Sequence, residues 1–136
     1  MAFTATGAKG AKDENELGRI ILDAAFKVHT EVGPGLLENA YEACLAYELR
    51  NKGLTVLTQV PLPLVYREVR LDVGYRLDIL VEDLVVVEIK AVDALAAIHQ
   101  AQLISYLKLS GKKLGMLINF NCVHLRHGIK RVVNNL

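Results

Sequence analysis

The spacing of apolar side chains changes twice along the chain. Leu17, Ile20, Ile21, Ala24, Ala25 and Val28 recur at helical intervals, which predicts a first helix with one buried face. Asp13 to Glu16 supply the acidic and capping residues of its start, and Gly33-Pro34-Gly35 stops it. A second helix is expected from about Leu36 to Lys52, with Gly53 as its left-handed stop. Residues 54–91 are then rich in Val and Leu, and strands are expected near 55–60, 63–67, 70–81 and 84–91. Pro61 and Pro63 mark an edge strand or an irregular approach to one. Asp93 is expected to cap a third helix ending at Gly111, Leu114 to Asn119 reads as a buried strand, and Cys122 to Leu125 as another. The segment from Lys130 to Leu136 is short and ambiguous. The order ααββββαββ predicts an α/β domain, a mixed sheet flanked by helices.

Length and composition narrow the class. The 136 residues, 52% hydrophobic and 23% charged, suit one compact domain over 13–136 and exclude global disorder. Residues 1–12 have no apolar period and read as a mobile tail; they lack the apolar centre of a secretory signal. No apolar run reaches the length of a bilayer span, so no membrane role is expected. Cys44 and Cys122 lie far apart, which excludes a disulfide framework or zinc ribbon and points to a reducing cytoplasm. The net charge of +1 hides an asymmetry: residues 94–136 carry +6 and residues 1–93 carry −5. Such a split permits a basic surface for a polyanion facing an acidic pocket for a cation, but from charge alone lysines and arginines solvating an ordinary surface are the favoured reading.

Asp78, Glu88 and Lys90 interrupt otherwise apolar strands, in RLDILV and VVVEIK. Charges inside such strands are costly unless paired or metal-bound. Glu88 and Lys90 share one face, and Ile89 points the other way. A plain two-residue turn at Glu82-Asp83 would set Asp78 opposite Val87 and turn Glu88 away from it. Convergence requires Val81 to pair with Val85, through a three-residue loop, a bulge or an early end to the pairing. Given that register, two carboxylates, the Ile89 carbonyl and waters suit a hard divalent cation, Mg²⁺ or Mn²⁺. Lys90 is placed to orient the attacking water or to steady transition-state charge, as phosphodiester hydrolysis requires.

Asp78, then nine intervening residues, then Glu88-Ile89-Lys90 resembles the D…ExK signature of the PD-(D/E)XK nucleases. Gly35 to Tyr41 reads GxxExxY, and Gln102 to Tyr106 reads QxxxY, as in the RecB and lambda exonuclease branch. The chain is similar to small bacterial proteins called the GxxExxY family, from about Leu17 to Val133. The resemblance implies a restriction-endonuclease-like core. It also implies Glu38 lining the metal site with Asp78, Glu88 and Ile89, Gln102 positioning Lys90 or a phosphate, and Tyr106 walling the site.

Each motif also has a plainer reading. Glu38 suits the N3 position of a helix capped by Gly35, and Tyr41 suits the core. Gln102 and Tyr106, one turn apart on the third helix with His99 nearby, suit ordinary packing. His29 reads as a structural hydrogen-bonder, and His124 and His127 as surface residues. Two functions result: a metal-dependent nuclease acting on DNA rather than RNA, or a catalytically silent nuclease fold that binds nucleic acid or assembles with itself. The short chain leaves little room for a nucleic-acid clamp, and its apolar composition favours a homo-oligomer.

Overall fold

A computed structural model describes residues 11–136. Residues 1–10, most of the expected tail, lie outside the described residues. Helix α1 (Glu14–Val32) opens with a reciprocal cap: the Glu16 amide donates to Asp13 Oδ1 and the Asp13 amide to Glu16 Oε1. Helix α2 (Glu38–Asn51) begins at Glu38, later than expected. Leu37 is its N-cap, so Glu38 occupies N1 and the proposed Gly35 cap with Glu38 at N3 does not form. Gly35 instead takes φ 100° within the turn between the helices, a conformation open to glycine.

Seven strands follow: β1 (Val56–Pro61), β2 (Leu64–Tyr66), β3 (Val69–Leu71), β4 (Arg76–Val81), β5 (Val85–Lys90), β6 (Leu114–Asn119) and β7 (Ile129–Val133). Helix α3 (Ala97–Ser110) connects β5 to β6. The main sheet has the order β1-β4-β5-β6-β7, and β2 pairs only with β3. The β5–β6 pair is parallel, as a helical crossover allows, and the other pairs are antiparallel. The mixed sheet flanked by helices is a restriction-endonuclease-like α/β core. One face packs on α1 and α2 through Leu17, Ile21, Leu45, Leu49, Ile79, Val87, Ile89 and Phe120. The other packs on α3 through Leu77, Val86, Leu103, Leu107 and Leu117. Helices on both faces explain why VVVEI is apolar without alternation. Among the described residues, no helix is long and apolar enough to cross a membrane.

Four expectations are corrected. The strand expected at 70–81 breaks at Asp72–Tyr75, where Gly74 takes φ 89° and the ribbon gains extra residues, giving five strands before α3 rather than four. Helix α3 is not capped by Asp93: it starts at Ala97, and His99 Nδ1 accepts the Ala96 amide at 2.9 Å. Cys122–Leu125 is a turn leading to a 3-10 turn at Leu125–Gly128: the Cys122 thiol donates to the Asn119 and His124 carbonyls, local bonds that fold the segment back on itself. The strand falls instead on Ile129–Val133, inside the segment that had no clear pattern.

Candidate metal centre

The β4–β5 hairpin sets the site. Val81 pairs with Val85 and Ile79 with Val87, so the loop is the three residues Glu82, Asp83 and Leu84. Glu82 and Asp83 both take left-handed φ values, 52° and 56°, and the Leu84 amide returns to the Val81 carbonyl at 2.9 Å. That loop gives the parity that convergence of the two carboxylates required.

Beyond Ile79 and Val87 the backbone ladder ends, and side chains take its place. The Asp78 amide donates to Glu88 Oε1 at 3.2 Å, and the Ile89 amide donates to Asp78 Oδ2 at 2.9 Å. Each carboxylate therefore stands in for a peptide carbonyl of the neighbouring strand and keeps a second oxygen for another partner. In the parallel β5–β6 ladder the Lys90 carbonyl accepts the Phe120 amide. Alternation along β5 turns the Ile89 carbonyl the opposite way, toward β4 and the two carboxylates.

The electrostatics follow from this enclosure. Glu88 is 5% exposed. Burial, reinforced by the Asp78 charge, pushes its pKa from 4.5 up to about 8. Burial also raises Asp78, opposed by the Ile89 amide and Lys90 and assisted by Glu38. In the metal-free protein the pair thus retains a proton near neutral pH.

The other expected residues surround this pair at differing distances. Glu38 Oε2 accepts the Ala91 amide at 3.3 Å, so it flanks the end of β5, and its charge reaches Asp78. Lys90 Nζ lies 3.5 Å from Gln102 Oε1, and Gln102 Nε2 donates to Tyr106 Oη at 3.0 Å. The QxxxY pair therefore forms a chain leading to the lysine. Burial, with the Glu88 charge adding to it, raises the Tyr106 hydroxyl. Tyr41 hydrogen-bonds to neither carboxylate. It stacks on Phe120 at 4.5 Å, donates to the Gly33 carbonyl and accepts the Leu36 amide, which fastens the inter-helix turn. His29 Nε2 meets the Cys122 carbonyl at 2.7 Å, the structural role expected of it.

Two residues escaped the sequence reading. Glu42 lies one turn after Glu38, accepts Gln59 Nε2 at 2.7 Å, and is raised mainly by burial, with Asp78 contributing. The i, i+4 spacing from Glu38 was its signal. Gln59 takes φ 53° at the position opposite Asp78, where the β1–β4 pairing is interrupted without a change of register, and nothing in the local sequence marks that interruption.

Among the described residues, no group of three or more His, Cys, Asp or Glu side chains is assembled to hold a metal ion. The groups that do meet are the carboxylates of Asp78 and Glu88, both oxygen donors. Two crowded carboxylates with raised pKa values, Glu88 buried and Asp78 half-buried, fit a hard divalent cation, whose charge would compensate theirs. An open concavity lined by Leu36, Leu37, Glu38, Asn39 and Ala91 lies at the Glu38 side, just past the end of β5.

No curated protein and no solved structure matches the chain. A family model does: over residues 15–132 it matches the description PD-(D/E)XK nuclease superfamily. The D…ExK pattern, the broken β4–β5 ladder that brings its members together and this match agree, and the chain belongs to the PD-(D/E)XK nuclease superfamily.

Proposed function

We propose that residues 13–136 form a single nuclease-like domain that hydrolyses phosphodiester bonds of DNA with the help of Mg²⁺ or Mn²⁺. The observation that carries this reading is the Asp78–Glu88 pair: Glu88 buried and Asp78 half-buried, linked through each other's strand amides, and beside a lysine on the same strand as Glu88. Nucleases of this superfamily generally use such divalent ions. A bound ion would polarise the phosphoryl oxygen and favour hydroxide over water as nucleophile.

The chain's own residues divide the remaining tasks. Asp78, Glu88 and the Ile89 carbonyl hold the ion, and Glu38 adds negative charge at its rim. Lys90, from the same face of β5 as Glu88, orients the nucleophile and balances charge on the transferred phosphate. Gln102 accepts from Lys90 and donates to Tyr106, which fixes the ammonium group. GxxExxY-type identity, a cytoplasmic setting suited to two free cysteines, and self-association complete the reading.

Cleavage of linear and circular DNA with Mn²⁺ or Mg²⁺, with RNA as comparison, tests it. Activity is expected for the natural chain and loss for Glu88→Gln and Lys90→Ala; equal activity in all three would overturn it. A second reading, a silent nuclease fold that binds nucleic acid, is favoured by one observation: Glu38 is engaged with Ala91. Undetectable Mn²⁺ binding by calorimetry would select it.

A further inference from the structure

The protein's β-edges are not equally protected. The outer edge of β1 carries the left-handed Gln59 and Pro61, and β7 presents exposed Lys130 and Arg131. Strand β2 is preceded by Pro63. Such devices normally discourage strand addition. Strand β3 has neither a proline nor a left-handed residue within it; Arg70 is its one charged residue, and all three of its residues are exposed. Its register with β2 pairs Leu64 with Leu71 and Tyr66 with Val69, so one face of the ribbon is wholly apolar. Val69 is 55% and Tyr66 60% exposed.

The sequence along this open edge is self-complementary. The strand Val69-Arg70-Leu71 leads into Asp72-Val73, which lie beyond its end, and the segment is apolar and charged by turns, basic before Leu71 and acidic after it. Arg70 Nε already lies 3.4 Å from Asp72 Oδ1, so both project to one side. An antiparallel copy centred on Leu71 would set Arg70 against Asp72 twice, Val69 against Val73 twice, and Leu71 against itself. Cross-strand pairs of opposite charge stabilise such a junction, and like charges oppose it.

We infer that the β3 edge is a two-fold interface through which a second copy of this chain pairs about Leu71, joining two ribbons into one four-stranded sheet. The ribbon's apolar faces then run on across the junction, and the interface is isologous, as closed dimers require. The inference deepens the self-association included under the proposed function and is independent of whether the protein cleaves DNA.

Sedimentation velocity and native mass spectrometry of the full chain test it. The natural chain is expected at twice the 15.0 kDa chain mass. Arg70→Glu sets acidic groups opposite each other and should weaken the dimer by about tenfold or more. Arg70→Glu combined with Asp72→Arg should restore it. Leu71→Cys should cross-link two chains under mild oxidation, because directly opposed strand positions suit a disulfide. Glu68→Cys, off the axis, should not, and the natural chain with Cys44 and Cys122 serves as control. Circular dichroism confirms that each variant folds. A monomeric natural chain, or a dimer indifferent to Arg70→Glu and without cross-linking at Leu71, would overturn the inference. So would Arg70→Glu that weakens DNA binding while leaving the mass unchanged, which would assign the ribbon to nucleic acid. DNA cleavage is read separately, so loss of the dimer and loss of the nuclease reading are distinguishable.

Discussion

Replacing Glu88 by Gln should stabilise the metal-free protein at alkaline pH while abolishing its response to metal. The glutamine is nearly isosteric. Its amide oxygen can keep the Asp78 amide as partner, and its NH2 can donate to the Asp78 carboxylate, so the hydrogen bonding of the protonated acid is preserved. In the natural chain the Glu88 carboxyl is raised from 4.5 to about 8. The folded state therefore holds a proton that the unfolded chain releases, and stability falls as pH rises between those values. The contribution is complete below 4.5 and lost above about 8. At about 1.4 kcal/mol per pH unit, the full difference sets an upper bound of ~5 kcal/mol, and sharing of the proton with Asp78 reduces the working value to about 2–4 kcal/mol. With an unfolding entropy of about 2 cal/mol/K per residue, the chain should gain about 3–4 °C in Tm per kcal/mol. Glu88→Gln should then melt roughly 6–15 °C above the natural chain near pH 9 and within a few degrees of it near pH 4. Differential scanning calorimetry in EDTA across that range measures both. Adding Mn²⁺ should raise the Tm of the natural chain alone. Parallel curves across pH would show that Glu88 carries no buried proton, and the electrostatic account of the site would fall with them.

Other outcomes follow from the same geometry. Mn²⁺ binding should expel a proton at neutral pH and tighten as pH rises toward about 8, because Glu88 must ionise to coordinate; calorimetry in buffers of differing ionisation enthalpy reads the released proton. Lys90→Ala should abolish cleavage while leaving Mn²⁺ affinity within a few-fold, since the lysine is no ligand; a matched loss of metal binding would contradict its role. Tyr106→Phe removes the hydroxyl that accepts from Gln102 and should lower kcat by about tenfold with little change in Tm. Gly128→Ala brings a Cβ to 2.3 Å from the Asn119 carbonyl oxygen, and denaturant unfolding should show a loss of at least ~2 kcal/mol.

The two helices, the buried strands and the Asp78–Glu88–Lys90 cluster were readable because each rests on a strong local pattern. Helical spacing names the face of α1, and charges inside VVVEIK stand out because burial makes them costly. Parity stated what the β4–β5 loop had to be, but not that Glu82 and Asp83 would adopt left-handed φ, which neither residue type dictates. The missing pair at Gln59 and the break at Asp72–Tyr75 depend on how two distant strands align, so no window of sequence contains them. β7 was missed because Ile129–Val133 alternates weakly and its register comes from β6. Glu38 was legible as a helix-start acid, whereas its engagement with Ala91 required the tertiary packing of α2 against the end of β5.

Because the Asp78 and Ile89 amides donate to the very carboxylates proposed to take the metal, the seam of the sheet doubles as a built-in sensor. Ionisation or coordination of either acid must alter both N–H bonds. Two backbone resonances, observable without any probe attached, would therefore follow the occupancy of this centre in real time, and their hydrogen exchange would register how firmly the hairpin's open end is latched.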